Sequence, residues 1–200
     1  HEYRTIHGTA TAEIWEKRSR VIANVSFADT EEKAVEFLNS IRAQHRTARH
    51  NVYAYVLREG GRMRYSDDGE PAKTAGLPVL ESIQHAGLTD CIVVVTRYFG
   101  GILLGTGGLV KAYGGGVHQA LAQLTTLRKT PLTAYTLQCE YGQLAGVEAL
   151  LAQFSGNVVE SEYLASVRLR VALPQAEVAA FSARLADFSR GSLQLLKINE

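Results

Sequence analysis

The sequence is poor in cysteine and has no long apolar run. It contains two cysteines, Cys91 and Cys139, in 200 residues, too few for a disulfide framework or a cysteine-based metal site. No apolar stretch approaches the roughly 20 residues that a transmembrane helix needs, and no apolar segment typical of a signal peptide lies near the start. We therefore expect a cytoplasmic protein with no membrane partner. Because the chain begins at His1, we expect a few residues to precede it.

An excess of charge of one sign is also missing. Lysine and arginine number 21 against 20 acidic residues, which gives a net charge of +1. This balance provides no general attraction to nucleic acid or to an anionic membrane surface. Any anion-binding site must therefore be local.

Several catalytic and cofactor motifs are absent. The glycines fit neither the G-x-G-x-x-G spacing of dinucleotide-binding folds nor the P-loop, and no G-x-S-x-G elbow occurs. The histidines show no HExxH pattern or i, i+4 pairing that would predict zinc; they are His1, His7, His45, His50, His85 and His118. We predict no cofactor and no catalytic residue.

The most distinctive segment that is present spans residues 97–116 and holds eight of the 18 glycines. It follows the apolar run 91–95, so the pattern predicts a buried strand, a glycine-rich turn and a helix that begins at Thr106. Unpaired amides at such a helix start bind anions, here those of Gly107, Gly108 and Leu109 with Thr106 as cap. The candidate anion- or RNA-binding residues are Arg97, Gly100, Gly101, Gly105, Thr106, Gly107, Gly108 and Lys111. The alternative is that these glycines only permit tight packing of the helix on a sheet.

The predicted helix has an apolar stripe of helical periodicity over four turns. Its members are Leu109, Ala112, Tyr113, Gly116, Val117, Ala120, Leu121 and Leu124. Gly114, Gly115 and Gly116 interrupt this helix at a combined cost of roughly 3 kcal/mol relative to alanine. We expect another element or a ligand to approach the backbone there.

An acidic loop precedes this segment. Asp67, Asp68 and Glu70 place three carboxylates in four residues, and Thr74 follows as a candidate helix cap. The carboxylates are a weak candidate site for magnesium beside a bound phosphate. They are also consistent with an exposed turn, or with a structural bracket in which one carboxylate pairs with Arg97 or caps the helix at Thr74.

Two basic clusters, at residues 17–20 and 45–50, lie near Tyr53, Tyr55 and Tyr65 in the sequence. Basic residues interleaved with aromatic ones contact phosphates and stack on bases. The alternative is that they are solvated charges at strand ends.

The order of predicted elements divides the chain in two. Residues 9–124 alternate hairpins and helices around the glycine-rich segment, and residues 125–131 are typical of a linker. Beyond it the order is βαββαβ, which is the ferredoxin-like pattern. We predict an α+β protein with domains at residues 1–127 and 131–200.

Several spaced motifs resemble the IMPACT family. They are SDDGEP at 66–71, TAG at 74–76, RYFGG at 97–101 and LGTGGLVKAY at 104–113. The C-terminal segments PLT at 131–133, LQCEY at 137–141 and FSRGSLQ at 188–194 are similar to the family's bacterial YigZ members. Two positions depart from the family pattern: Lys73 stands where glycine is expected, and Val21 stands where an aromatic residue is usual.

The resemblance carries further expectations. It implies an N-terminal βαβ module of the type found in a ribosomal protein, the RNase P protein, elongation factor G domain IV and the GHMP kinases. It also implies a C-terminal domain like elongation factor G domain V. Eukaryotic IMPACT proteins are translation regulators, so it implies a translation-linked regulator that binds RNA or a ribosome-associated protein.

Two alternatives to this function remain open at the level of the sequence. One is a GHMP-like phosphotransferase in which the acidic loop holds magnesium. The other is a protein docking module that uses the glycine-rich face. The sequence does not determine the oligomeric state.

Overall fold

The computed structural model describes residues 2–198, and the chain forms two compact units. The first, called here the N-terminal unit, spans residues 3–129. The second, the C-terminal unit, comprises residues 130–198 together with Glu2. The mixed α+β class and the two-unit organisation agree with the sequence pattern.

The N-terminal unit is built around a five-stranded antiparallel sheet with the strand order β2-β3-β6-β4-β5. The strands of the whole unit are β1 (Tyr3–Ile6), β2 (Thr9–Glu16), β3 (Ser19–Phe27), β4 (His50–Val56), β5 (Met63–Ser66), β6 (Cys91–Tyr98) and β7 (Thr126–Lys129). Of these, β1 and β7 form a separate two-stranded sheet. Its helices are α1 (Glu31–Gln44), α2 (Gly76–His85) and α3 (Gly105–Ala122).

The sheet is covered by helices on both faces, which explains the unbroken apolar sequence of β6. Ile92 and Val94 pack in a core with α1. Cys91, Val93 and Val95 point the other way and pack in a larger core with α2 and α3. A strand buried on both faces is apolar at every position rather than at alternate positions.

The predicted linker contains a strand that the sequence analysis did not identify. β7 pairs antiparallel with β1, and the register joins Tyr3 to Lys129 and Ile6 to Thr126. The boundary between the units, after Lys129, falls inside the linker predicted at residues 125–131, but most of that segment is a strand of the N-terminal unit. Both strands have four residues and lie far apart in the sequence, so neither produces a strong local signal.

The C-terminal unit has a four-stranded antiparallel sheet with the order β11-β8-β10-β9. The elements are β8 (Leu132–Cys139), α4 (Leu144–Gln153), β9 (Asn157–Tyr163), β10 (Val167–Pro174), α5 (Val178–Ser189) and β11 (Leu196–Lys197). Alternate residues of β10, such as Val167 and Leu169, are buried in one core with Phe181 and Leu185 of α5. The observed order of elements is the βαββαβ order that the sequence predicts.

Within residues 2–198, no helix combines the length and the apolar character needed to cross a membrane.

Candidate functional site

A buried ion pair joins the acidic loop to the end of β6. Nε of Arg97 donates to Oε1 of Glu70 at 2.5 Å, and Nη2 donates to Oε2 at 3.1 Å. The two side chains are only 8% and 3% exposed. The remaining nitrogen, Nη1, donates to Oγ of Ser19 on β3 at 3.0 Å. This bidentate geometry fixes the loop against the sheet.

Tyr113 of α3 completes this cluster. Its hydroxyl donates to Oε1 of Glu70 at 2.7 Å. Burial, followed by the charge of Glu70, raises the pKa of Tyr113 far above its ordinary value. Burial by itself lowers the pKa of Arg97, but the hydrogen bonds and charge of Glu70 outweigh burial, and the net pKa is raised. Tyr113 therefore stays neutral and Arg97 stays charged, and the charge of Arg97 is balanced inside the protein.

This geometry changes the role predicted for Arg97. The sequence predicts that Arg97 contacts an anion. In the structure its guanidinium is buried and already bound by Glu70 and Ser19. We therefore assign Arg97 to the support of the glycine-rich turn and not to ligand contact.

The other two carboxylates of the loop also bind protein donors. Oδ1 of Asp67 accepts from the amides of Ala75 and Gly76 at 3.2 and 2.8 Å, and Oδ2 accepts from the amide of Lys73 at 3.0 Å. Asp67 thus satisfies the free amides at the start of α2. Oδ2 of Asp68 accepts from the backbone amide of Asn51 on β4 at 2.7 Å.

Thr74 does not cap α2, contrary to the prediction. The helix begins at Gly76 after Ala75, and no side chain of the capping residue bonds to it. The hydroxyl of Thr74 donates instead to the carbonyl of Pro71 at 2.5 Å. The residue is buried and closes the loop on itself.

The weak magnesium candidate at Asp67, Asp68 and Glu70 receives no support from the geometry. Each carboxylate is directed to amides or to a guanidinium. In the part of the chain that the structure describes, no three His, Cys, Asp or Glu side chains are arranged to hold a metal ion. The contacts match the bracket alternative, because Glu70 pairs with Arg97 and Asp67 caps a helix.

His50, which the sequence places in the second basic cluster, is also a member of this loop cluster. Its Nδ1 donates to the carbonyl of Asp68 at 2.8 Å, and its Nε2 lies 3.7 Å from Oε1 of Glu70. The residue pairs in register with Arg97 across β4 and β6. Only the fold brings these groups together, since 47 positions separate His50 from Arg97 (97 minus 50).

The glycine-rich turn lies against the β2–β3 hairpin. A Cβ atom added to Gly100 would collide with the backbone carbonyl of Arg18, so only glycine allows this approach. Gly101 and Gly105 have positive φ angles of 89° and 71° and are exposed. Gly100 therefore has a packing role, whereas Gly101 and Gly105 shape an exposed turn.

The helix after the turn begins earlier than the sequence predicts. α3 starts at Gly105, its capping residue is Leu104, and no side chain caps it. Thr106 is therefore inside the first turn and is not the cap. Helix geometry leaves free the amides of Gly105, Thr106 and Gly107, whereas those of Gly108 and Leu109 bond within the helix.

The start of α3 is open to solvent. Gly105, Thr106 and Gly107 are exposed, and Gly108 is half-buried. Lys111 is exposed and follows Gly107 by four positions, so it lies on the same side of the helix one turn later. The structure thus brings together free amides and one cationic side chain.

The three glycines in the middle of α3 contact three different elements. Added Cβ atoms at Gly114, Gly115 and Gly116 would lie 3.6 Å from Ser82, 3.7 Å from Ile14 and 3.5 Å from Ala23. These are ordinary van der Waals distances. The expectation that another element approaches the helix backbone here is confirmed. The distances nevertheless leave room for a methyl group at each position.

The two basic clusters meet at the end of the sheet that carries the glycine-rich turn. Lys17 and Arg18 form the β2–β3 turn beside Gly100, and both are exposed. Arg46 and Arg49 are exposed in the connection that leads into β4. That strand begins beside the last residues of β6. We call Lys17, Arg18, Arg46, Arg49, Lys111 and the amides of residues 105–107 the basic end.

The tyrosines predicted to stack on bases are not available at this end. Tyr53 and Tyr55 are 8% and 4% exposed because they lie in the core under α1. Tyr65 is half-buried and packs against the larger core. The alternation that the sequence shows in β4 separates two buried faces, not a buried face and an exposed one.

Comparison with known proteins supports the family resemblance. Residues 17–121 match the model of the Impact N-terminal domain, and residues 137–192 match a domain of unknown function, DUF1949. The chain belongs to the IMPACT family.

The relatives cover nearly the whole chain. "IMPACT family member YigZ" of Escherichia coli strain K12 is 59% identical over 187 residues, which are 92% of each chain. An "IMPACT family member" of Haemophilus influenzae is 40% identical over 189 residues, again 92% of each. A solved structure described as "Crystal structure of an hypothetical protein" has a TM-score of 0.72 and 55% identity, and the match covers 100% of this chain and 98% of that chain.

The family motifs coincide with the residues that build the buried cluster. The SDDGEP segment supplies Asp67, Asp68 and Glu70, and the RYFGG segment supplies Arg97 and Gly100. The departure at Lys73 also has a structural counterpart. Its φ is 61°, a left-handed conformation that glycine adopts more easily than lysine.

Proposed function

We propose that this IMPACT-family protein is a non-enzymatic, translation-linked regulator that acts in the cytoplasm. Its N-terminal unit binds RNA phosphates, on a free RNA or within the ribosome, through the basic end. The free amides at the start of α3 bind phosphate oxygens, and Lys17, Arg18 and Lys111 add positive charge.

One observation carries the proposal. The close approach of Gly100 to the backbone of Arg18 holds the basic β2–β3 turn against the segment that leads into the open start of α3. An exposed helix start is a weak anion site by itself. Basic side chains on a neighbouring hairpin extend it along a phosphate backbone.

The carboxylates of the acidic loop are engaged by donors of the protein itself. Glu70 is neutralised by Arg97, and Asp67 and Asp68 accept hydrogen bonds from backbone amides. A cluster that appears acidic in the sequence therefore supports the turn internally. The net charge of +1 is compatible with a local basic surface of this kind.

Two features of the family resemblance support the link to translation. The implied similarity of the two units to elongation factor G domains IV and V would relate both to a factor that works on the ribosome. The implied role of eukaryotic members as translation regulators agrees with it.

The proposal is tested by measuring the binding of a fluorescently labelled RNA over a series of salt concentrations, together with co-sedimentation with ribosomes. Phosphate contacts predict a linear fall of log K with log salt, with a slope of about 0.7 per contact on a single strand. Replacement of both Lys17 and Arg18 by glutamate should weaken binding about tenfold or more and reduce that slope. The matched charge control is Arg184→Glu, at an exposed position of α5, which should have little effect on RNA binding.

Thr106→Asp separates binding from folding. A carboxylate in the first turn stabilises a helix by roughly 0.3–1 kcal/mol, but it would repel phosphate from the free amides. We expect weaker RNA binding with an unchanged or higher melting temperature. Gln119→Asp, at an exposed position near the other end of α3, should leave binding intact. Binding that does not depend on salt, or that survives all these changes, would exclude the phosphate contact.

A second candidate function is protein docking through the same turn, and a specific observation favours it. Leu103 is 84% exposed, and Phe99, Ile102 and Val110 are 40%, 43% and 44% exposed. Apolar side chains grouped around one turn are typical of protein contacts. Leu103→Ser should abolish capture of a protein partner and leave RNA affinity within about twofold; loss of RNA affinity alone would count against docking.

The phosphotransferase alternative has no comparable support. The carboxylates that it would use for magnesium are bound to protein donors within the described residues.

A further inference from the structure

A row of three side chains crosses the sheet beside the basic end. Trp15 of β2 pairs in register with Arg20 of β3, and Arg20 pairs with Tyr98 of β6. Residues that pair directly across antiparallel strands point to the same face of a sheet. Trp15, Arg20 and Tyr98 therefore lie side by side on three adjacent strands.

This part of the face is not beneath a helix. α1 packs on β4 and β6, where it covers Tyr53 and Tyr55. β2 is an edge strand, and Trp15 is 64% exposed. The burial pattern of β2 agrees with an uncovered face. Thr11, Glu13 and Trp15 point to one face and are exposed, whereas Ala12 points to the other and is buried.

Contacts with neighbouring side chains position Tyr98 and Arg20 within the row. Nδ1 of His45 lies 2.6 Å from the Tyr98 hydroxyl, which fixes the tyrosine ring. The Arg20 guanidinium lies over that ring at 5.7 Å from its centroid. Arg20 also pairs with Glu13 at 3.1 Å, but the two side chains are 42% and 40% exposed. Ion pairs this exposed are weak, so a phosphate can compete for Arg20.

We propose that Trp15, Arg20 and Tyr98 form a base-stacking platform for single-stranded RNA. This inference rests on the proposed function, because the phosphates of the same strand would contact the basic end. Trp15 provides the main stacking surface, Arg20 binds a phosphate or stacks on the next base, and Tyr98 borders the row.

The chemistry distinguishes single strands from duplexes. In a duplex the bases are stacked on one another and paired, so their faces are not available to a side chain. An unpaired base can lie on the indole of Trp15 while its phosphate reaches the β2–β3 turn two to three residues away. The platform therefore selects an unpaired strand and is tolerant of sequence.

Trp15 is the only tryptophan in the chain, so its fluorescence reports this position alone. The probes are an oligouridylate decamer, an RNA duplex of equal charge, and a decamer sugar-phosphate backbone that lacks bases. We expect the oligouridylate to quench Trp15 and to bind several-fold more tightly than the other two. Trp15→Ala should weaken its binding about tenfold and should not alter binding of the backbone without bases.

Two further variants sharpen the test. Glu13→Gln releases Arg20 and should tighten oligouridylate binding about twofold or more. Tyr163→Ala is the matched control, since Tyr163 is 60% exposed in the C-terminal unit, and it should change the affinity less than twofold. Circular dichroism of each variant verifies the fold.

The outcomes separate the platform from the phosphate site. Equal affinity for the decamers with and without bases, no quenching, and no effect of Trp15→Ala would overturn the platform and leave phosphate binding standing. No binding of any of the three probes at low salt would overturn both proposals. Capture of a protein through Trp15 without RNA binding would also overturn the platform.

Discussion

The two units differ in how many polar groups they bury. Nine of the ten buried polar or charged residues among those described lie in the N-terminal unit, and Ser189 lies in the C-terminal unit. The nine are Thr5, Ser19, Asn24, Asn51, Glu70, Thr74, Asp90, Thr96 and Arg97. In the C-terminal unit the ion pair between Arg168 and Glu162 is about half exposed.

This contrast follows from the segments that each unit must hold in one conformation. The C-terminal sheet is held by alternating apolar residues against two helices, which requires no specific polar contact. The N-terminal unit must also hold a long irregular loop and a glycine-rich turn at one end of its sheet. Buried hydrogen-bonded pairs such as Glu70 with Arg97 give those segments one geometry, because unpaired charges are costly in the interior.

The largest expected effect compares the two ion pairs. Arg97→Ala leaves Glu70 buried without its partner and should destabilise the N-terminal unit by about 3–5 kcal/mol. Arg168→Ala removes an exposed pair and should cost less than about 1 kcal/mol. Trp15 fluorescence during urea unfolding reports the first change, and hydrogen exchange in β10 reports the second. Similar losses of unfolding free energy for the two variants would contradict the contrast.

The next comparison uses two glycines that are crowded in different ways. A Cβ at Gly100 would strike the backbone of Arg18, whereas one at Gly146 would strike the ring of Phe188. The backbone cannot move aside, so Gly100→Ala should destabilise by about 3 kcal/mol. Phe188 is 46% exposed and can rotate, so Gly146→Ala should change stability by at most about 1 kcal/mol. Thermal unfolding by calorimetry measures both, and equal losses would refute this reasoning.

A smaller gain is expected where non-glycine residues adopt left-handed backbone. Lys73 and Arg190, one in each unit, have φ angles of 61° and 53°. Replacement by glycine should stabilise each unit by roughly 0.5–1 kcal/mol, since strain is removed but the unfolded chain gains freedom. Shifts in urea midpoint measure the gain. Stabilisation at Arg190 alone would indicate that the contacts of the acidic loop already compensate the strain at Lys73.

The smallest effect depends on pH. Burial, followed by the charge of Arg20, lowers the pKa of His45 below its ordinary 6.5. The unfolded chain therefore binds the proton more readily, and stability should fall as pH drops through about 6.5. No histidine follows His118, so this loss should be confined to the N-terminal unit. His45→Gln should flatten melting temperature between pH 8 and 5.5; an unchanged slope would mean that another group is responsible.

The sequence predicts most regular elements because their signals are local. The stripe from Leu109 to Leu124 predicts α3, and the alternation at Val167 and Leu169 predicts β10. The pair β1 and β7 was missed because its members lie at opposite ends of the N-terminal unit. The sequence predicts the start of α3 too late because Thr106 is a favourable capping residue. In the structure, Leu104 and Gly105 determine the first turn.

The candidate site was harder to predict because its charges are set by distant partners. Arg97 lies 27 positions from Glu70, and no local pattern indicates that it is neutralised. Tyr53 and Tyr55 appear available until a helix is known to cover each face. The exposure of Trp15 could have been predicted from the sequence, since it alternates along β2 with the polar residues Thr11 and Glu13 on the same face.

The pairing of Tyr3 with Lys129 has a consequence for synthesis of the chain. β1 is made first, but its partner is made more than a hundred residues later. At about 5–20 residues per second, the first strand waits on the order of 6–25 s before it can pair with β7. The two-stranded sheet is thus completed only by the last strand, and a nascent chain stalled before Thr126 would hold β1 by the bridge between Arg4 and Leu88 but without its partner strand.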